Sequence, residues 1–214
     1  MSRTVSYAEA CLLALELCGT FTMRPNMDDC LYEIAPLTSV ARMAKMLDAL
    51  DGFGSDSIAR QVLKIVKDNS ASRMESRTFV ALAAPRAQGG FALPVPEING
   101  PVTINDEQVR FLNSTGLSCD LYWRDANLAV EYDSKTHHGS SKDLSHTLDR
   151  RTVLNDLGIR VVSMTGYDIN SFPTICKKAG YLLKALGIRR QPPSQRTMQR
   201  RLRLIREMAS IDWV

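Results

Sequence analysis

Residues 117–133, Leu-Ser-Cys-Asp-Leu-Tyr-Trp-Arg-Asp-Ala-Asn-Leu-Ala-Val-Glu-Tyr-Asp, decide how the chain builds its sheet. In Leu117 to Trp123, apolar Leu117, Cys119, Leu121 and Trp123 alternate with Ser118, Asp120 and Tyr122. In Leu128 to Asp133, Leu128, Val130 and Tyr132 alternate with Ala129, Glu131 and Asp133. A period of two is the signature of a strand, because successive side chains leave opposite faces of the pleat. Arg124-Asp125-Ala126-Asn127 between them predicts a reverse turn. With Asp125 and Ala126 at its tip, antiparallel register sets Asp120 opposite Glu131. Glu131 and Asp133 share a face, and Lys135 joins them if the strand continues.

Acids facing one another across strands repel, so something must compensate for them. A divalent cation, a lysine or a raised carboxyl pKa would each do so. Magnesium takes carboxylate oxygens, keeps waters and accepts phosphate oxygens, which suits phosphoryl chemistry at such a cluster. The alternative is an exposed hairpin face whose acids sit in water. That reading leaves unexplained why Lys135, His137 and His138 follow the acids so closely. Coupled titratable groups gather at functional sites. Consecutive histidines cannot share one face of a regular element, so at most one of them acts.

Outward from the hairpin, helices and strands alternate. Residues 143–157 form a helical pattern stopped by Gly158, and the β-branched run Ile159 to Met164 reads as a buried strand. Phe172 to Leu186 is helical and ends at Gly187. On the N-terminal side, Val102 to Ile104 is a short strand candidate, and the two prolines within Phe91 to Ile98 make that segment an edge strand or an extended segment rather than a central strand. The first third is helical. Ala8, Leu12, Leu15 and Cys18 recur at helical spacing, Thr38 or Ser39 caps a second helix, and Ser55 or Asp56 caps a third. A fourth helix runs from Ser72 to Ala83. The fold class expected is α/β, a mixed sheet flanked by helices behind a helical N-terminal region.

Length and composition set the frame. The 214 residues suffice for a sizeable core, and 44% hydrophobic with 23% charged residues is ordinary for a globular protein. The N-terminus lacks the pattern of a signal peptide, since Glu9 and Glu16 interrupt its apolar run. No stretch has the uninterrupted apolar length of a membrane span. Five widely spaced cysteines, without a CxxC pair, suggest neither a zinc site nor a disulfide framework, and the expected compartment is the cytoplasm. The net charge of +4 and pI near 8.9 favour an acidic partner without naming one.

The order Asp120, hairpin, Glu131-Tyr132-Asp133, His138, a helix with Asp149-Arg150-Arg151, then Gly158-Ile159-Arg160-Val161-Val162 resembles the very-short-patch-repair-like branch of the PD-(D/E)xK nuclease superfamily. The resemblance covers about residues 73 to 170. It implies a restriction-endonuclease-like fold and magnesium-dependent hydrolysis of DNA phosphodiesters, with manganese as a substitute. Asp120 and Glu131 would hold the metal, and Asp133, Lys135 and His138 would complete the site. Glu75, on the helix before the sheet, occupies the place of a further acid; by itself it is equally a helix N-terminal acid favoured by the dipole. The usual lysine two residues after the acid is replaced by Asp133, as is common in that branch. Lys135 and His138 are both candidates to orient or deprotonate the attacking water.

Three regions are expected: helical 1–70, nuclease 71–190 and a basic C-terminal helix 191–214. In the last, Met198, Leu202, Ile205 and Ala209 form one stripe, leaving the arginines outward for DNA or for solvent. Two further functions stand beside the nuclease: a DNA-binding regulator that keeps the fold without the chemistry, and an interaction module with an acidic face.

Overall fold

The structure, a computed structural model, describes residues 5–23, 30–50, 54, 57–133 and 141–211, with 141–144 described by backbone alone. The chain divides into two compact units, residues 1–95 with 190–214, and residues 96–189.

The first unit is mainly helical. α1 (Tyr7–Leu17) opens with a capping box in which Ser6 and Glu9 satisfy each other's backbone N–H. β1 (Phe21–Met23) and β2 (Cys30–Tyr32) form a small antiparallel ribbon the sequence pattern did not reveal. Ser39 caps α2 (Val40–Ala49). α3 (Ile58–Leu63) is capped by Ser57, whose hydroxyl accepts the Arg60 N–H, in place of the expected Ser55 or Asp56, which lie outside the described residues. α4 (Arg73–Ala83) begins at Ser72 as expected. Cys11, Leu15, Phe79 and Leu82 form part of this unit's buried core.

The second unit holds a four-stranded mixed sheet flanked by helices. β3 (Glu97–Val102) is an edge strand and carries Pro101, whose missing N–H an edge tolerates. It takes the end of the 91–98 segment and only the first residue of the Val102–Ile104 candidate. α5 (Asp106–Leu112), absent from the sequence expectation, follows and opens with an Asn105–Gln108 capping box. β4 (Leu117–Trp123) and β5 (Leu128–Tyr132) are the expected hairpin, turned by Asn127 in the left-handed region at φ +45°. α6 (Ser141–Asp156) leads to β6 (Arg160–Met164), which lies parallel to β5 at the other edge. Strand order is β3-β4-β5-β6, with β3, β4 and β5 antiparallel to their neighbours in the meander. α7 (Gly166–Asn170), a short element missed in the sequence, and α8 (Phe172–Ala185) complete the unit.

Val102, Leu117, Cys119, Tyr122 and Ala129 from the sheet pack with Leu112 of α5 and Val153 and Leu154 of α6. At β6, Met164 turns its carbonyl to the Asp133 N–H, so alternation turns the Ser163 carbonyl away from β5. There Lys178 of α8 donates to it at 2.6 Å and to Asp168 at 2.5 Å. Burial alone would raise the Asp168 pKa, but hydrogen bonds from Lys178 and Thr165 hold it below its usual value.

α9 (Gln195–Ser210) returns to the first unit. Its buried stripe is Arg201, Leu204, Ile205 and Met208, a rotation from the Met198–Leu202–Ile205–Ala209 stripe expected. The cause is Arg201, which goes inside because its guanidinium stacks on Phe91, 4.3 Å from the ring centroid. Among the described residues no helix is long and apolar enough to cross a membrane.

Candidate active site at the end of the β4–β5 hairpin

The hairpin ladder pairs Trp123 with Leu128, Tyr122 with Ala129 and Leu121 with Val130. The next position brings Asp120 opposite Glu131, the register expected from the turn. There side chains replace the main-chain ladder. The Asp120 N–H donates to Glu131 Oε1 at 3.2 Å, and the Tyr132 N–H donates to Asp120 Oδ2 at 2.6 Å. Each carboxylate thus accepts from a main-chain N–H of the opposite strand, Glu131 from Asp120 and Asp120 from Tyr132.

Asp120 is also where the β3–β4 ladder lapses. Ile98 pairs with Leu121 and Gly100 with Cys119, but the Asn99–Asp120 pair between them is absent. Asn99 stands at φ +47°, a left-handed conformation that breaks the regular strand. Cys119 and Tyr122 consequently join one apolar cluster, although strict alternation would put them on opposite faces. The expected side for Tyr122 is thereby corrected. Asn99 was missed as a site-shaping residue; Asn-Gly at 99–100 was the available signal, since both tolerate positive φ.

α6 supplies the counter-charge. Arg150 donates to the Ser118 carbonyl at 2.8 Å and to Glu131 Oε2 at 3.4 Å, with both side chains largely covered. Arg151 donates to the hydroxyl of Ser163, which faces Glu131 in the parallel β5–β6 register. Burial pushes the Glu131 pKa up, offset in part by the Arg150 charge and the Asp120 N–H. Burial, reinforced by the Glu131 charge, also drives the Cys119 thiol up to about 12, so it is no nucleophile near neutral pH.

Asp133 follows β5, its N–H bound to the Met164 carbonyl. Lys135, His137 and His138 lie outside the described residues. Glu75 belongs to the other unit, where its carboxylate accepts from the Ala71 N–H at 3.0 Å and from Ser72 Oγ at 3.0 Å. Those contacts are what a helix N-terminus asks of a glutamate.

Among the described residues no group of three or more histidines, cysteines, aspartates or glutamates is close enough to hold a metal ion. Asp120 and Glu131 are a two-carboxylate set, which magnesium accepts when waters and substrate phosphate fill its other positions. Comparison with protein-family models, curated proteins and solved structures gives no match.

Proposed function

We propose that this chain is a magnesium-dependent deoxyribonuclease whose second unit is a restriction-endonuclease-like domain. The observation that carries the reading is the reciprocal clasp of Asp120 and Glu131, each carboxylate held on the opposite strand where both ladders lapse. The order hairpin, arginine-bearing helix and parallel strand supports the same reading, since it is the order in which the sequence motifs fall.

In this reading Asp120 and Glu131 hold the cation. The bound cation would supply Lewis-acid stabilisation of charge on the scissile phosphate. The hydrogen bonds to Asp120 and Glu131 fix two of their oxygens before substrate arrives, so little reorganisation remains. Arg150 keeps Glu131 oriented from the α6 side, and Lys135 or His138 orients or deprotonates the attacking water.

Supercoiled plasmid incubated with magnesium or manganese should be nicked or linearised, and chelator should stop it. Asp120→Ala and Glu131→Ala should each abolish cutting while duplex binding persists. A wild-type protein that binds duplex DNA yet never cuts it, with either metal, would transfer the assignment to a non-catalytic DNA-binding regulator. That second reading is favoured by the absence of a three-ligand group among the described residues.

A further inference from the structure

α9 carries five arginines, one glutamate and no lysine. Its arginines have different fates. Arg201 is buried against Phe91, and Arg190, just before the helix, donates to the carbonyls of Phe91 and Ala92. Arg196, Arg203 and Arg206 remain exposed. With Gln199 and Ser210 they recur at intervals of three and four, so they form one stripe, all of it able to hydrogen-bond. From Arg196 to Arg206 the stripe runs about 15 Å at 1.5 Å per residue. Arg203 and Arg206 line a shallow hollow together with Gln199, Leu202, Glu207 and Ser210, so two guanidiniums face one carboxylate there. Among the described residues these three arginines form no ion pair.

We propose that this stripe is a docking rail for the sugar–phosphate backbone of duplex DNA. The inference rests on the nuclease reading only for DNA as the duplex; the contact itself needs no metal and no cutting.

Three features select a phosphate backbone over other acidic partners. The cations are all guanidinium, which binds phosphate bidentately where an ammonium is a point charge. The apolar face of α9, with Leu204, Ile205 and Met208, is committed to the first unit's core, so no apolar face is left to enter a membrane. A protein partner would want an apolar centre within a polar rim, and beside the stripe lie only half-buried Leu202 and Met198 and the small Ala209. A DNA strand presents a charge about every 3.4 Å along the axis, so a 15 Å rail meets several phosphates without reading a base.

The test measures anisotropy of a labelled duplex of about 20 base pairs, in chelator, across a sodium chloride series. The full chain is compared with Arg196→Gln/Arg203→Gln/Arg206→Gln. Three lost phosphate contacts should reduce the slope of log affinity against log salt by about 2.7, at ~0.9 per contact. The corresponding triple lysine variant should keep most of the slope, because the charges remain. All three sites are exposed, so melting temperature should hold. An unchanged slope in the glutamine variant overturns the proposal. So does an equal loss on neutralising Arg42, Lys45 and Lys64, all exposed elsewhere in this unit. Preferential binding to phosphatidylserine vesicles, lost in the glutamine variant, overturns it in favour of a membrane. Plasmid cutting is scored separately: a chain that never cuts but shows the slope change keeps the rail and loses the nuclease.

Discussion

Arg150→Met isolates the electrostatics of the candidate site. The variant loses the 2.8 Å bond to the Ser118 carbonyl, a cost of about 1 kcal/mol. It also strands Glu131, whose side chain is only 21% exposed. Breaking a fully buried pair costs about 3–5 kcal/mol. The contact here is long at 3.4 Å and Arg150 is 27% exposed, so solvent screening reduces the cost. A share of about 1–2 kcal/mol follows from that discount, giving about 2–3 kcal/mol in all. Urea denaturation should show the loss as a lower midpoint with unchanged slope. In a Glu131→Gln background only the Ser118 part, about 1 kcal/mol, should remain. The pH dependence has a definite sign. Burial raises the Glu131 pKa in the folded state, so the folded chain binds this proton more tightly than the unfolded chain. Stability from this group therefore falls as pH rises from the ordinary glutamate value, about 4.3, through the raised one. Removing Arg150 raises the folded value further. The deficit against wild type should shrink to the Ser118 part, about 1 kcal/mol, near pH 4 and be full at neutral pH. An equal loss in both backgrounds, or a deficit that ignores pH, would falsify the pairing of Arg150 with Glu131.

Lys135→Ala should slow single-turnover cleavage about a hundredfold, the scale of losing one well-placed stabiliser of developing charge; a normal rate beside a dead His138→Ala passes the role to the histidine. Lys178→Met should cost about 3 kcal/mol in thermal or urea unfolding, because Asp168 would keep a nearly buried charge without its cation. Because the folded Asp168 pKa is depressed, its contribution is present above the ordinary aspartate value and lost as pH falls through the depressed one, so an acid titration should close the gap. Gly90→Ala would set a Cβ 2.0 Å from the Ala84 carbonyl oxygen, and a loss of about 3 kcal/mol or more is expected; a melting temperature within a degree of wild type refutes that packing.

The hairpin was legible because its information is local. Two alternating runs and a four-residue turn fix a register, and that register set Asp120 against Glu131. The face taken by Tyr122 was not legible, because it depends on a left-handed Asn99 in a strand separated from β4 by α5. The phase of α9 was misread for a similar reason. An arginine was assigned to solvent by charge, whereas an aromatic ring more than a hundred residues earlier holds it inside. Arg150 stands in the sequence only as part of the Asp149-Arg150-Arg151 run; its partner is the candidate site's own glutamate, and only the packing of α6 on the sheet decides that. Glu75 is the opposite case, since Ser72 three residues earlier already specifies the capping bonds it makes.

The two outer strands of the sheet are each unsuited to receiving another strand. On β3, Pro101 has no N–H to offer and Asn99 bends the backbone out of register. On β6, the Ser163 carbonyl that points away from β5 is occupied by Lys178, which brings a positive charge to the edge. Many copies crowded along one polymer would meet edge to edge far more often than copies free in solution. On the proposed reading, a sheet closed at both margins would let copies be neighbours there without growing into a shared sheet.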